Sequence, residues 1–155
     1  MTPAINALKK AGVVYQVHEY QHDEAAASYG LEAAEALGVE AAQVFKTLIA
    51  TLQAKNFIVA IVPVTSQLSL KALALAAGGK SARMAEAKEA ERITGYVAGG
   101  ISPLGQKRRL VTVIDDSALT HAEIFVSGGR RGLDIGVAPM DLITLTAAKV
   151  ADITA

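Results

Sequence analysis

The most distinctive stretch of the sequence is residues 94–109, which read TGYVAGGISPLGQKRR and contain four glycines, one proline and three successive cations. Glycine lets the backbone approach a partner closely and adopt positive φ, and Pro103 fixes the chain just after Ser102. We interpret residues 96–97 as a strand, followed by a Gly-Gly bend and a basic tip that leads into another strand. The stretch predicts the wall of a pocket with cations at its rim. A long surface loop with a solubilising basic end is the alternative.

A second loop rich in glycine and arginine spans residues 127–134, with the sequence SGGRRGLD. Successive glycine N–H groups can form an anion-binding concavity, and Asp134 adds a carboxylate near the arginines. A surface ion pair that closes a turn would explain the same residues. If both glycine loops lie on one rim, five cations converge there and suit a phosphate backbone, with a solvated surface as the alternative. These cations are Lys107, Arg108, Arg109, Arg130 and Arg131.

Lys46 is the most informative single residue, because it interrupts an apolar strand predicted over residues 44–52. Its neighbours on the same strand face are Val44 and Leu48. A lysine in that position must extend to solvent, find a partner or face a cavity. An edge-strand lysine that points at water is one interpretation. The functional interpretation is a lysine at a pocket floor that donates hydrogen bonds to a carbonyl or a developing oxyanion.

Length and composition predict one compact domain, since 155 residues with 52% hydrophobic and 19% charged side chains can bury a core without disulfides. The net charge is zero, so a nucleic acid would have to be bound by a local basic patch. The chain has no cysteine and therefore no thiol nucleophile or thiolate metal site. No signal peptide is apparent, and no apolar run approaches the roughly 20 residues of a membrane helix. We therefore expect a soluble cytoplasmic protein with no membrane partner.

Hairpins interspersed with helices predict the α+β class with a mixed sheet. Residues 57–64 are almost continuously apolar, which is typical of a central strand buried on both faces. The predicted helices are 3–11, a helix capped by Ser28 and ending at Leu37, 70–77, 85–92 and 139–147. The predicted strands are 13–20, 44–52, 57–64, 80–84, 110–115, 123–127 and 133–137.

The usual catalytic devices are not found in the sequence. His18 and His22 straddle the end of a strand, so they do not share a helical face as zinc ligands would, and His121 is isolated. There is no G-x-S-x-G elbow and no Walker loop. We expect no metal and no cofactor, and a reaction that depends on positioning and oxyanion stabilisation while water or a substrate group attacks.

Three segments resemble the YbaK family: VFKTL at residues 44–48, TGY at 94–96 followed by GGISPLGQK at 99–107, and VSGGRRGLDI at 126–135. The similarity runs nearly from end to end. It implies a single domain over residues 1–155, with a mixed, barrel-like sheet surrounded by helices. It also implies a trans-editing enzyme that hydrolyses the ester of cysteine mischarged onto proline tRNA. The family is similar to the editing domain of bacterial prolyl-tRNA synthetases, which clears alanine.

The resemblance further implies roles for individual residues. Lys46 matches the family's catalytic lysine, and Tyr29 stands where phenylalanine is usual, so its hydroxyl either changes the pocket polarity or points outward. The implied mechanism is attack by the substrate's own thiol on its carbonyl, while Lys46 and backbone N–H groups hold the ester. The implied pocket positions are Tyr20, Tyr29, Thr47, Gly99, Gly100, Ser127 and Asp134.

The implied partners are the acceptor end of proline tRNA, held by the basic rim, and prolyl-tRNA synthetase. Two other functions remain open from the sequence. One is a deacylase for alanine or another small amino acid on tRNA. The other is a non-enzymatic small-molecule or nucleotide-binding module that uses the glycine loops as an anion cradle.

Overall fold

The computed structural model describes residues 1–21 and 29–155, apart from the side chain of Tyr29. These residues form five α-helices, eight strands and two short 3₁₀ segments at Ala41–Gln43 and Asp116–Thr120. The helices are α1 (Pro3–Ala11), α2 (Tyr29–Leu37), α3 (Leu70–Ala76), α4 (Ala87–Thr94) and α5 (Pro139–Thr146). The strands are β1 (Tyr15–Glu19), β2 (Phe45–Leu52), β3 (Asn56–Pro63), β4 (Ala82–Met84), β5 (Val111–Asp115), β6 (Ile124–Arg130), β7 (Leu133–Val137) and β8 (Lys149–Ala151).

The larger sheet has the order β4-β2-β3-β5-β8 and is mixed, because β3 and β5 pair in parallel while β2 and β3 form an antiparallel hairpin. Its central strand β3 is buried on both faces. Val59 and Ile61 pack into the main core, and Ala60 and Val62 pack on the other face with Leu73 of α3. The prediction of a central strand from its continuous apolar run is therefore confirmed.

The smaller sheet has the order β1-β7-β6 and is antiparallel throughout. Its strand β7 is buried at every position. The two sheets meet where Val44 forms a parallel bridge with Phe125, and α2 covers this junction with Ala33 and Ala34. The α+β class with mixed strand pairing is confirmed. The described strands form two sheets joined at that bridge, and their hydrogen-bonded ladders do not close into a continuous barrel.

The strand predicted at residues 96–97 is wrong. Gly95 adopts a left-handed conformation at φ 81° and ends α4, and the chain then continues through turns and bends. Tyr96 is buried and donates its hydroxyl hydrogen to the carbonyl of Leu104 at 2.6 Å. The Lys107 amide donates to the Thr94 carbonyl at 2.8 Å. The segment is closed by bonds to itself, which is why its β-prone residues do not pair with a neighbouring strand.

Other differences concern the ends of elements. The short edge strand β8 was not predicted, because three residues are too few to show the alternation of apolar and polar residues that indicates a strand, and two of them are exposed. The helix predicted at 85–92 lies two residues further along as α4. The proposed cap at Ser28 lies outside the described residues. None of the described helices is long and apolar enough to span a bilayer.

Candidate active site

A cavity of about 300 Å³ opens at the junction of the two sheets, beside the Val44–Phe125 bridge and under α2. It is lined by the start of β2, by the loop around Gly99, and by β6, β7 and the turn between them. The structure brings together eight of the residues predicted from the sequence. They are Tyr20, Lys46, Thr47, Gly99, Ser127, Arg130, Arg131 and Asp134.

Lys46 is half-buried and lines this cavity from the second position of β2. It pairs with Val62 of β3 and shares a strand face with Leu48, so aliphatic neighbours surround the stem of the side chain. The ammonium group therefore reaches a concave site from an apolar wall. This is the placement expected of a lysine that faces a cavity, while its catalytic role stays a prediction.

Thr47 contributes a second polar group beside Lys46. Its Oγ1 atom is buried and has no hydrogen-bond partner within residues 1–21 and 29–155. A buried hydroxyl without a partner costs about 1–3 kcal/mol of folding free energy. A bound group that hydrogen-bonds Thr47 would recover that cost, which makes the hydroxyl suited to a polar ligand in the cavity.

Asp134 supplies the buried carboxyl of the site. It lies on the central strand β7 and is 7% exposed. Burial raises the pKa of this carboxyl from 3.8 to about 7. Because removal from water disfavours the charged form, the group is protonated at mildly acidic pH unless a cation binds next to it.

The residues on either side of Asp134 form a polar row across the smaller sheet. Ser127 of β6 and His18 of β1 are both directly opposite Asp134 in the strand register. The Ser127 hydroxyl accepts a hydrogen bond from the Gly129 amide at 3.2 Å, so it shapes the bend that follows. His18 was not predicted as a site residue. Its Nε2 is buried and has no hydrogen-bond partner among the described residues, and its ring stands edge-on to Phe125 at 5.7 Å.

Tyr20 closes the same end of the cavity. Its amide donates to the Gly132 carbonyl at 2.9 Å, which continues the pairing of β1 beyond its last residue. The pKa of the Tyr20 hydroxyl is raised to about 12, first by burial and then by the negative charge of Asp134. The hydroxyl therefore stays protonated and can donate a hydrogen bond at neutral pH.

The two glycine loops contact each other directly. A Cβ atom on Gly100 would lie 2.6 Å from Cα of Arg130, and one on Gly129 would lie 3.0 Å from the Tyr96 ring. Gly129 also has φ 116°, a conformation that side chains disfavour. Gly100 is thus buried against the other loop, while its neighbour Gly99 lines the cavity. The close approach that glycine was predicted to permit is an approach between the two loops.

The five predicted cations do not surround a single cavity. Arg130 and Arg131 line the first cavity, and Arg130 forms an exposed ion pair with Glu19 at 3.2 Å. Arg108 and Arg109 instead line a second cavity of about 230 Å³ between α1 and α5, and Lys107 is exposed beside them in the chain. The basic rim is therefore divided into two groups on two sides of the glycine-rich loop.

Helix α2 adds two wall residues that the sequence analysis did not name. Gly30 and Ala33 line the cavity, and a Cβ atom on Gly30 would lie 2.1 Å from Cγ1 of Val64. A glycine within a helical pattern is the signal that could have indicated this close packing. The side chain of Tyr29, which the resemblance places in the pocket, lies outside the described residues.

A separate acidic group lies near the C-terminus, where carboxylate oxygens of Asp115, Asp116 and Asp152 are within 4.8 Å of one another. The buried Asp115 accepts hydrogen bonds from the amides of Ile153 at 3.0 Å and Ser117 at 3.2 Å. These bonds connect β5 to the C-terminal segment and satisfy the buried carboxylate of Asp115, which gives this residue a structural role.

The first cavity is lined by a lysine, a carboxyl, hydroxyls and two arginines, a set of groups that suits a small polar ligand attached to an anionic partner. The family model of the aminoacyl-tRNA editing domain matches residues 23–145, and the chain belongs to this family. Membership places it among the aminoacyl-tRNA editing proteins, and it confirms the family, the fold and the hydrolase class that the sequence motifs predicted.

Individual relatives agree with this assignment. The chain is 36% identical to EbsC of Enterococcus faecalis, a protein assigned as a Cys-tRNA(Pro)/Cys-tRNA(Cys) deacylase, over 99% of this chain and 93% of that one. A crystal structure assigned as a trans-editing enzyme for prolyl tRNA synthetase superposes with a TM-score of 0.88 at 28% identity, covering 99% of this chain and 95% of that one. A crystal structure of a hypothetical protein gives a TM-score of 0.89 at 28% identity, covering 99% and 100%.

Proposed function

We propose that the protein hydrolyses mischarged aminoacyl-tRNA in trans, with Cys-tRNA(Pro) as its main substrate, and that the aminoacyl ester binds in the 300 Å³ cavity. The observation that carries the proposal is the convergence of Lys46, Thr47 and Asp134 on one small cavity in a chain of the editing family. The names of the deacylase relative and of the trans-editing structure support the same substrate. Such a substrate is found in the cytoplasm, where we expect the protein to act.

The groups around the cavity have complementary roles in this proposal. The ammonium of Lys46 and backbone N–H groups near Gly99 hold the ester carbonyl and stabilise the oxyanion that develops there. The carboxylate of Asp134 pairs with the α-ammonium of the amino acid, which returns the buried carboxyl to its charged form. Thr47 and Tyr20 supply hydroxyl groups for the remaining polar atoms of the ligand.

The attacking group in our proposal is the thiol of the bound cysteine. The thiol loses its proton, the sulfur bonds to the carbonyl carbon, and the ester C–O bond breaks as the ribose oxygen takes up a proton. Water then opens the cyclic thioester that is released. This chemistry provides selectivity, because a hydrophobic pocket distinguishes one methylene by only about 1–3 kcal/mol.

The decisive experiment is a deacylation assay on Cys-tRNA(Pro), Ala-tRNA(Pro) and Pro-tRNA(Pro) with the wild-type protein and Lys46→Ala. We expect rapid loss of cysteine only, and a fall of about 100-fold or more in kcat for Lys46→Ala, since one oxyanion donor is worth that much. Lys55→Ala is the matched control, because Lys55 is exposed in the β2–β3 turn.

The outcomes separate the alternatives. Release of alanine at a similar rate would show a deacylase for small amino acids with no requirement for a thiol. Unchanged turnover in a folded Lys46→Ala protein, checked by its thermal melt, would place the reaction elsewhere. Binding of aminoacyl-tRNA without any hydrolysis would favour a binding module.

We further propose that prolyl-tRNA synthetase delivers the tRNA. The four arginines that line the two cavities can hold phosphates, but phosphate contacts carry no sequence information. The deacylase relative is named for two different tRNAs, and the trans-editing structure is named for that synthetase. Both names support an editing domain that recognises the amino acid and leaves the choice of tRNA to a partner.

A further inference from the structure

The second cavity, about 230 Å³ in volume, is outside the proposed acyl site. It lies where the glycine-rich loop passes between α1 and α5. Its lining includes Arg108 and Arg109, and no acidic residue among the described residues lines it. A concave site with two arginines and no carboxylate favours an anion, and the fork of the guanidinium matches the oxygen atoms of a phosphate group.

The loop that carries these arginines packs against α1 and is held by a hydrogen bond within the loop. Gly105 has φ 67° and packs so closely on α1 that a Cβ atom would lie 2.5 Å from the Pro3 carbonyl oxygen. The Gln106 side chain donates to the Ser102 carbonyl at 3.0 Å, and Pro103 and Leu104 are buried. A rigid support lowers the entropy cost of holding two long side chains around a bound anion.

The charges at this cavity are available to a ligand. Arg108 and Arg109 are exposed and form no ion pair within the described part of the chain. Ala7 of α1 lines the cavity, and Lys10 lies three residues further along the same helix. Arg130 at the first cavity differs, because it already pairs with Glu19.

The two cavities are neighbours along the loop. Ile101 lines the first and Pro103 lines the second, with the fully buried Ser102 between them. Two residues span at most about 7 Å between Cα atoms. A ligand whose ester occupies the first cavity and which carries regularly spaced phosphates can therefore place one of them in the second.

We propose that the second cavity binds a backbone phosphate of the RNA whose aminoacyl end occupies the first cavity, an inference that rests on the proposed function. The acyl group and the phosphate would then be held on opposite sides of residues 101–103. This arrangement fixes the ester relative to Lys46 and gives the enzyme affinity for RNA without selection of its sequence.

The test compares Arg108→Gln/Arg109→Gln with Arg83→Gln/Arg92→Gln. The control arginines are equally exposed and line neither cavity. We expect KM for aminoacyl-tRNA to rise roughly tenfold in the first variant, with little change in kcat. The slope of log(kcat/KM) against log salt should become shallower by about 1, since the contact with one phosphate is lost. An unchanged slope and KM would overturn the inference.

A binding experiment separates this inference from the proposed function. Fluorescence anisotropy measures the binding of a non-acylated acceptor-stem RNA hairpin, with and without a 5′-phosphate, and competition by inorganic phosphate. We expect weaker binding of both RNAs by the Arg108→Gln/Arg109→Gln protein even if no ester is ever hydrolysed. Equal binding by that variant and the wild-type protein would reject the phosphate site while leaving deacylation intact.

The two RNAs also identify the source of the phosphate. Similar loss of affinity for both supports a backbone phosphodiester. Loss confined to the 5′-phosphorylated hairpin, or inorganic phosphate competing as well as the RNA, would show a site for a terminal or free phosphate and would contradict the backbone contact.

Discussion

Asp134 shows how one side chain links stability to pH. Its pKa is 3.8 in an ordinary environment and about 7 in the folded protein, because burial disfavours the carboxylate. Between these values the folded state binds more protons than the unfolded state, so stability falls as the pH rises. A shift of about three units corresponds to about 4 kcal/mol of unfolding free energy, lost between about pH 4 and pH 7.

We therefore predict that Asp134→Asn removes this dependence, since the amide resembles the protonated acid in shape and carries no charge. Chemical denaturation at pH 5 and pH 8 measures the free energy of unfolding of the wild-type and variant proteins, and the difference between the two proteins is compared at the two pH values. The variant should gain stability relative to the wild type at pH 8. A constant difference across the window would contradict the raised pKa. Ser66→Ala, a change at a residue outside this cavity, controls for nonspecific effects.

Lys46 and His18 show what the sequence could and could not predict at the scale of single residues. Lys46 was identifiable because a charge in an apolar strand requires an explanation. His18 was not, because a histidine in a half-exposed strand has no such signal, and its place opposite Asp134 depends on the register of β1 against β7. Residue identity revealed the unusual groups, and strand pairing decided which of them meet.

At the scale of elements, the two glycine loops form one unit. Gly100 meets the backbone of Arg130, and Gly129 meets the ring of Tyr96. The motifs predicted that backbone would approach something closely. They did not indicate whether the partner was a ligand or another loop, because a glycine indicates that there is no room for a side chain and does not show what occupies the space. Strands with long apolar runs, such as β3, were predicted well, whereas the three-residue β8 was not.

We predict that Gly100→Ala separates the two loops. The new methyl group would lie 2.6 Å from a backbone atom, which cannot move aside as a flexible side chain does. We expect a loss of about 1–3 kcal/mol of stability and a larger relative loss of kcat/KM, since Gly99 and Arg130 at the cavity would shift together. Thermal denaturation and the deacylation assay measure the two effects.

Gly12→Ala is the control for this substitution. Gly12 ends α1 at φ 73°, and an added Cβ would meet no described residue within 4 Å beyond its own helix and chain neighbours, so the change introduces strain without a clash. It should cost stability of about 1 kcal/mol and leave kcat/KM unchanged once the protein is folded. Equal activity losses in both variants would mean that loop contact has no specific part in the site.

At the scale of the whole molecule, our proposals divide recognition between two cavities and a partner. In these proposals the first cavity, with its lysine, carboxyl and hydroxyls, takes the small amino acid, and the arginine cavity beside it suits any phosphate backbone. Neither provides the convergent base contacts that sequence recognition of RNA requires. The protein alone should therefore edit cysteine from different tRNAs with similar efficiency.

We predict that prolyl-tRNA synthetase changes this preference. Without the synthetase, kcat/KM for Cys-tRNA(Pro) and Cys-tRNA(Cys) should agree within about threefold, because both present the same ester and phosphates. Adding the synthetase should raise kcat/KM for the proline tRNA alone, since holding the tRNA near the cavity increases its effective concentration. Competition between the two substrates in one reaction measures the ratio directly. A strong preference for proline tRNA without synthetase would mean that this fold reads tRNA identity through contacts of its own, and the division of recognition would be wrong.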